Sequence, residues 1–85
     1  MAASNTKLTL LVRAYCHLCD EMRHALLPLA AASGVAVDEI DVDSDSGLEA
    51  LWGDKVPVLL AGGVELCHYR LDGAALTAHL GRKAL

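Results

Sequence analysis

The sequence predicts an α/β domain with a four-stranded mixed sheet and helices on both faces. Three observations lead to this fold class. The 85 residues fit one domain. More than half of them are apolar (54%) and only 21% are charged, which excludes a disordered chain. Short apolar runs typical of strands alternate with runs of helical periodicity, in the order β-α-β-α-β-β-α.

The first half of the chain begins with a strand and a long helix. KLTLLVR (residues 7–13) predicts an apolar strand, and the helical pattern after it begins near Cys16. Pro28 is expected to kink this helix or to loosen its last turns, because proline lacks an N–H group. Gly34 is expected to end it. The predicted buried stripe of the helix consists of Leu18, Met22, Ala25, Leu26 and Leu29.

A second strand and a second helix follow. VAVDEIDV (35–42) predicts the strand, and SDSGLEALW (44–52) predicts the short helix. The acidic residues between them are interpreted as a solvated strand end and a helix cap. A calcium loop is rejected because its sixth and twelfth positions hold Ser46 and Trp52. Since strand and helix alternate here, the first strands are expected to be parallel, with right-handed crossovers.

The chain closes with a hairpin and a covering helix. VPVLLA (56–61) predicts a third strand, and the Gly-Gly pair at 62–63 predicts a tight turn. VELCHY (64–69) is then its antiparallel partner. Asp72 is expected to cap a last helix over residues 73–85.

Charge and hydropathy exclude several classes of partner. The formal net charge is −4 and no run of Lys or Arg occurs, which argues against a nucleic-acid or anionic-membrane surface. No apolar stretch approaches the roughly 20 residues that cross a bilayer, and the N-terminus makes a poor signal peptide. We therefore expect a cytoplasmic monomer, with a flexible tail over residues 1–6 and one domain over residues 7–85.

Two cysteines, Cys16 and Cys19, stand three positions apart where the first helix begins. Backbone N–H groups and the positive end of the helix dipole favour the thiolate of Cys16, which predicts a nucleophile. Cys19, one turn further on, predicts a resolving thiol that can release a mixed disulfide from Cys16. His17, when protonated, favours the thiolate, whereas Asp20 and Glu21 oppose it.

This pair has two other interpretations: it binds a metal, or it has no chemical role. One C-x-x-C motif supplies two ligands, and a structural zinc ion takes four. Cys67 and His68 are the other candidates in one cluster. Because adjacent residues of a strand point to opposite faces, the two cannot easily reach one ion. Redox chemistry is therefore favoured, and no metal site is predicted.

Pro57 supplies a second signal. Proline is unusual inside a strand. A cis Val56–Pro57 bond at the start of the third strand would make the proline compatible with that strand. With this Val-Pro step, the element order and a C-x-x-C opening the first helix, the chain resembles the thioredoxin fold and, within it, the small glutaredoxin-like proteins. YCHLC, VPVLL and LDGAAL resemble that group along nearly the whole chain.

The resemblance implies a thiol–disulfide oxidoreductase that has no resident cofactor and takes glutathione as a candidate co-substrate. It implies Cys16 as the nucleophile, Cys19 as the resolving cysteine and Pro57 as a cis-proline beside them. The backbone of Val56 would then bind a peptide or glutathione by β-augmentation.

The resemblance also implies other parts of a glutathione site. Arg13 matches a position where glutaredoxins carry a cation near the glycine carboxylate of glutathione. Tyr15 matches an aromatic residue that flanks the cysteines. The γ-glutamyl carboxylate is not covered by the resemblance; for it, this chain offers the N–H groups near Asp72 and Gly73, as helix N-termini do.

The chain differs from glutaredoxins at two of their motifs. His17 and Leu18 stand between the cysteines, where glutaredoxins usually have Pro-Tyr. The Gly-Gly pair lies in the hairpin rather than after the fourth strand. We therefore expect weak glutathione binding, in the roughly millimolar range, and either glutathione or a disulfide-containing protein as the partner. The alternatives are a Cu(I) or Zn chaperone that uses the same cysteines and a non-catalytic thioredoxin-fold interaction module.

Overall fold

Four strands and three α-helices follow one another in the predicted order in the computed structural model of the protein, which describes residues 7–84, with side chains as far as Gly81. The predicted flexible tail, residues 1–6, lies outside the described residues. The strands are β1 (Lys7–Val12), β2 (Ala36–Asp41), β3 (Val58–Ala61) and β4 (Val64–His68). The helices are α1 (His17–Ala32), α2 (Ser46–Trp52) and α3 (Gly73–Ala84), and short 3₁₀ turns, Val42–Ser44 and Gly53–Lys55, flank α2.

The strands form one mixed sheet in the order β2-β1-β3-β4. β1 and β2 are parallel, as the alternation of strand and helix predicted. β3 runs antiparallel to β1, with Leu11 opposite Val58, and β4 runs antiparallel to β3, with Val58 opposite His68. The end of β1, the start of β3 and the end of β4 therefore lie at one end of the sheet. We call it the cysteine end, because the segment that leaves β1 there leads directly to Cys16.

Apolar side chains cover both faces of the sheet, since strand residues alternate between them. On one face, Leu8, Leu10 and Leu59 pack with side chains of α1 and α3, among them Met22, Leu26 and Leu76. On the other face, the buried cluster consists of Leu11, Val42, Val58 and Leu60, with Leu48 and Trp52 of α2 packed against it. The predicted arrangement of helices on both faces is therefore confirmed.

Helix α1 buries a different stripe from the predicted one. Its buried side chains are Cys19, Met22, Leu26 and Ala30. Leu29 and Ala25 lie on the exposed side, so their inclusion in the stripe was wrong. The reason is that Cys19 is an apolar-like residue with 1% exposure, and its burial rotates the helix so that the inward positions follow it at 3, 7 and 11 residues.

Pro28 lies on the solvent-facing side of α1, and the helix continues past it to Ala32. The carbonyl group that proline cannot bond is then open to water, which satisfies it at low cost. Gly34 ends the helix as predicted: its φ is +68°, and the N–H of Val35 donates to the carbonyl of Ala30 at 2.9 Å. Among the described residues 7–84, no helix is long and apolar enough to cross a membrane.

The β3–β4 hairpin has the predicted tight turn. Gly62 and Gly63 have φ values of +59° and +82°, a conformation that residues with a side chain rarely adopt. The pairing of the two strands shifts between Leu59 and Leu60, so that β4 has one extra residue, Leu66, at that point. Beyond the shift, the register keeps His68 opposite Val58 at the cysteine end.

Candidate redox site

The two cysteines of the C-x-x-C motif occupy the start of α1. Cys16 is the residue that caps the helix, and Cys19 lies in its first turn. Their sulfur atoms are at disulfide-bonding distance, with the Cα atoms 5.1 Å apart. The Cys19 N–H donates to the Cys16 Sγ at 3.1 Å. Cys16 is half-buried and Cys19 is 1% exposed, so an incoming molecule can reach the first sulfur and not the second.

Charged side chains around the pair are largely ion-paired. Arg23 donates to Asp20 at 2.7 Å and to Glu39 of β2 at 2.7 Å, and the pKa of Arg23 is raised, first by the contact with Glu39 and then by that with Asp20. Glu21 lies 2.9 Å from the ring of His17 and 3.5 Å from the Arg70 guanidinium. Each carboxylate expected to oppose the Cys16 thiolate therefore has a cationic partner, which reduces its effect on the sulfur.

The Val-Pro step opens β3 at the cysteine end of the sheet. The Val56–Pro57 peptide bond is cis, and the Pro57 side chain is fully buried. Val56 is half-buried, with an extended backbone (φ −63°, ψ 144°) that can pair with a bound peptide strand. The Pro57 carbonyl accepts from the N–H of Tyr69, the residue after β4, at 2.9 Å.

Arg13 lies at the cysteine end and directs its guanidinium towards the α2 side. It donates to both carboxylate oxygens of Asp43, at 3.0 and 3.1 Å, and to Glu49 at 3.0 Å. It also donates to the carbonyl of Gly53 at 3.2 Å. These contacts raise the pKa of Arg13, chiefly through Asp43 and then through Glu49. The implied role of Arg13 as a carboxylate ligand stays a prediction, and any ligand there would compete with two carboxylates of the chain itself.

The other two predicted site residues, Tyr15 and Gly73, lie after the ends of β1 and β4. Tyr15 precedes Cys16 with a φ of +57°, and its side chain is fully exposed. Gly73 begins α3, after the segment that leaves β4 at the cysteine end. The Asp72 carboxylate accepts from the N–H of Ala75 at 3.0 Å, so it caps α3 as predicted. The cysteine end of the sheet therefore holds four of the predicted site residues: Cys16, Cys19, Val56 and Pro57.

A model of one protein family matches almost all of this chain. The model describes a glutaredoxin-like domain (DUF836) and matches residues 7–81. The chain belongs to this glutaredoxin-like family. The match includes both cysteines of the motif and the Val-Pro step.

The chain is also similar to individual known proteins. The chain is 33% identical over 84 residues to the uncharacterized protein Rv0508 of Mycobacterium tuberculosis, covering 93% of this chain and 87% of the relative. Its fold matches the solution structure of protein Ne2328 from Nitrosomonas europaea with a TM-score of 0.78, at 40% identity over 86% of this chain and 88% of the other. A mutant thioredoxin from Halobacterium salinarum matches with a TM-score of 0.64, at 25% identity over 99% of this chain and 80% of the other. The glutaredoxin-like domain therefore has the thioredoxin fold.

Three further residues of the glutaredoxin-like domain, Asp43, Glu49 and Tyr69, contact this region and were not predicted from the sequence. Asp43 and Glu49 bind Arg13, and the Tyr69 hydroxyl donates to the carbonyl of Asp54 at 2.7 Å. The helix cap expected among the acidic residues before α2 is Asp45, which accepts from two N–H groups of α2. No local pattern distinguishes Asp43 from Asp45, because the partner of Asp43 lies thirty positions away.

Cys67 is not part of the C-x-x-C pair and lies in the core of the glutaredoxin-like domain. It is the free cysteine of β4, 9% exposed, and burial raises the pKa of its thiol. The next residue, His68, is exposed, as expected for neighbours on a strand. Within residues 7–84, no group of three or more His, Cys, Asp or Glu side chains is placed to hold a metal ion.

Proposed function

We propose that this protein is a thiol–disulfide oxidoreductase that uses Cys16 and Cys19 as a dithiol/disulfide pair. The observation that carries the proposal is the placement of the two sulfurs within bonding distance, one accessible at the start of a helix and the other buried behind it. This asymmetry gives the attacking and resolving roles to different residues. A pair with two exposed sulfurs would not separate them.

The proposed reaction proceeds in two exchange steps. The Cys16 thiolate attacks one sulfur of a disulfide substrate, forms a mixed disulfide and releases the other half of the substrate as a thiolate, which takes up a proton. Cys19 then loses its proton and attacks the Cys16 Sγ, which releases the second half as a thiol and leaves the Cys16–Cys19 disulfide. Two electrons and two protons pass to the substrate. A thiol reductant, glutathione or a reduced protein, reverses the cycle.

The start of α1 supports the first step. The N–H of Cys19 already donates to the Cys16 Sγ at 3.1 Å, and the unpaired N–H groups of a first helical turn favour a negative sulfur. In the reduced protein, the same donor would stabilise the thiolate that attacks. The extended backbone of Val56 at the same end of the sheet would hold the substrate chain alongside.

The cytoplasm and the monomeric state belong to the same proposal. A protein that must be reduced again after each cycle works where glutathione or a protein reductant is present. The accessible Cys16 and the extended Val56 backbone both come from one chain, so no second copy is needed to complete the site.

Alkylation rates test the assignment of the nucleophile. In the fully reduced protein, iodoacetamide is expected to modify Cys16 first, because it is accessible and lies at the helix start. Cys19 and Cys67 are expected to react more slowly, since both are buried and burial raises the pKa of the Cys67 thiol. Time-resolved peptide mass spectrometry measures the order, with fragmentation to separate Cys16 from Cys19 in the peptide that they share. Fastest modification of Cys67 or Cys19 would contradict the assigned nucleophile.

Glutathione titration tests the electron donor. We expect a dissociation constant in the roughly millimolar range, about 4 kcal/mol of binding free energy, because the Arg13 guanidinium is occupied and the Gly-Gly pair lies in the hairpin. NMR titration of Cys16→Ser with reduced glutathione should shift the amides of Val56 and Gly73. Micromolar affinity would show a complete glutathione site. No shift at millimolar glutathione would point to a protein reductant.

A further inference from the structure

The segment from Gly53 to Pro57 joins α2 to β3 and carries the Val-Pro step. Three hydrogen bonds attach it to the neighbouring strands. Arg13, after β1, donates to the Gly53 carbonyl at 3.2 Å. Tyr69, after β4, donates to the Asp54 carbonyl through its hydroxyl at 2.7 Å and to the Pro57 carbonyl through its N–H at 2.9 Å. The segment is therefore held from both strands that flank β3.

The guanidinium group of Arg13 is largely occupied by acceptors of the chain itself. It makes four hydrogen bonds, to Asp43, Glu49 and the Gly53 carbonyl, and these use all but one of the guanidinium N–H groups. We call this group the Arg13 cluster. One cation and two carboxylates give it a formal charge of −1, so it does not attract a third carboxylate from a substrate. The cluster suits a structural task better than anion binding.

Gly53 shows how closely the Arg13 cluster approaches this segment. A Cβ atom at this position would lie 2.6 Å from a Glu49 carboxylate oxygen and 3.1 Å from the Arg13 Nη2. The backbone there is in the ordinary right-handed helical region (φ −53°, ψ −35°), so any residue could adopt it. A side chain at position 53 would therefore displace the Glu49 carboxylate, although the backbone there would accept it.

Tyr69 binds the other side of the Gly53–Pro57 segment, and its own backbone has an unusual conformation. Its φ is +65°, a left-handed conformation that residues with a side chain seldom adopt. This conformation directs both its N–H and its hydroxyl to the same segment, at Pro57 and at Asp54. The ring of His68 packs edge-on against it with centroids 4.7 Å apart.

We propose that Arg13 and Tyr69 are positioning residues of the redox site, which fix the Gly53–Pro57 segment so that Val56 can pair with a substrate chain. Arg13 then acts on the substrate through this segment and not as a ligand of its carboxylate. The inference rests on the proposed oxidoreductase function for its kinetic consequences. Its structural part, the placement of the segment, does not depend on turnover.

Removing the two carboxylates that bind Arg13 distinguishes a direct role in binding the substrate carboxylate from a positioning role. In the double variant Asp43→Ala/Glu49→Ala, a direct ligand would become more available, and the KM for glutathione disulfide would fall while that for uncharged hydroxyethyl disulfide stayed constant. A positioning residue would lose its support, and the KM for glutathione disulfide would rise about three- to tenfold, the effect of losing about one hydrogen bond. Hydroxyethyl disulfide has no peptide backbone to pair with Val56, so its KM should stay constant. The alkylation rate of Cys16 should stay unchanged in this variant. A lower KM for glutathione disulfide alone would overturn the proposal.

Two further variants and one control complete the test. Tyr69→Phe removes only the hydroxyl contact with Asp54, and Gly53→Ala displaces the flexible end of Glu49. Each should raise the KM for glutathione disulfide in the same way. The control is Asp38→Ala, which removes a carboxylate paired with Lys7 at 2.8 Å, where β1 begins, at the other end of the sheet. It should leave the KM unchanged. An equal rise in the control would overturn the proposal.

NMR spectra give a readout that does not require turnover. None of the variants replaces Val56, so a change in its amide shift reports movement of the segment. We expect shifts at Val56 in Tyr69→Phe and in the double variant, and none in Asp38→Ala. An unmoved Val56 amide would overturn the positioning role even if the protein reduces disulfides. Shifts at Val56 without any turnover by the parent protein would support positioning and contradict the oxidoreductase function.

Discussion

Replacing Cys16 with serine is expected to abolish disulfide reduction while leaving the fold intact. The serine hydroxyl stays protonated at neutral pH and cannot attack a disulfide sulfur, and Cys19 is too buried to replace it. The initial rate of reduction of a small disulfide should fall by at least about a hundredfold, since loss of a catalytic nucleophile commonly costs more than that. Serine is also a good helix cap, so α1 should keep its start at position 16.

Cys19→Ser is expected to stop the cycle one step later. Cys16 can still attack, so a mixed disulfide should accumulate and be visible by intact-protein mass spectrometry as the added mass of half a substrate. The matched control is Cys67→Ser, which removes a thiol outside the pair and should leave the rate close to that of the parent protein.

Two results would contradict these roles. If Cys16→Ser and Cys67→Ser lose activity equally, the C-x-x-C pair is not the reactive centre. If the parent protein carries one tightly bound copper or zinc ion per chain and Cys16→Ser loses it, the metal chaperone becomes the better interpretation of the same cysteines.

Leu10→Ala is expected to destabilise the fold strongly. Leu10 lies in the middle of β1, is fully buried, and is paired with Glu39 on one side and Leu59 on the other. Shortening it removes buried apolar surface and leaves a cavity, which costs about 2–5 kcal/mol. A domain of this size has roughly 5–10 kcal/mol of unfolding free energy in total, so about half of it should be lost in urea titrations.

Leu51→Ala is the matched control for that measurement. The same side chain is removed, but Leu51 is 70% exposed on α2, and its loss should change the unfolding free energy by less than about 0.5 kcal/mol. Similar destabilisation by both substitutions would show that Leu51 is buried by something other than the contacts described here.

Much of the fold could be predicted from the sequence because its determinants are local. Gly62 and Gly63 require a tight turn whatever surrounds them, and Asp72 caps a helix through contacts within its own turn. The face of α1 could not be predicted as well. Whether Cys19 or Leu18 points inward depends on the sheet beneath, and hydropathy alone favoured the leucine.

The redox pair could be found from spacing, but its surroundings could not. Cys16 and Cys19 are neighbours along the chain, whereas Arg13 meets Asp43 and Glu49 across separations of 30 and 36 residues. A lone arginine before a C-x-x-C motif resembles a glutathione ligand, and only the folded chain shows that two of its own carboxylates already occupy it. Tyr69 likewise reaches Asp54 across the hairpin.

The short spacing of the two cysteines has a thermodynamic consequence. A cross-link restricts the unfolded chain in proportion to the logarithm of the loop it closes, and a loop between positions three apart is among the smallest possible. By chain entropy, closing this loop therefore stabilises the fold by about 2 kcal/mol, against roughly 5 kcal/mol for a loop of about a hundred residues. In the proposed cycle, the two oxidation states would differ less in global stability than those of a protein whose disulfide joins distant parts of the chain.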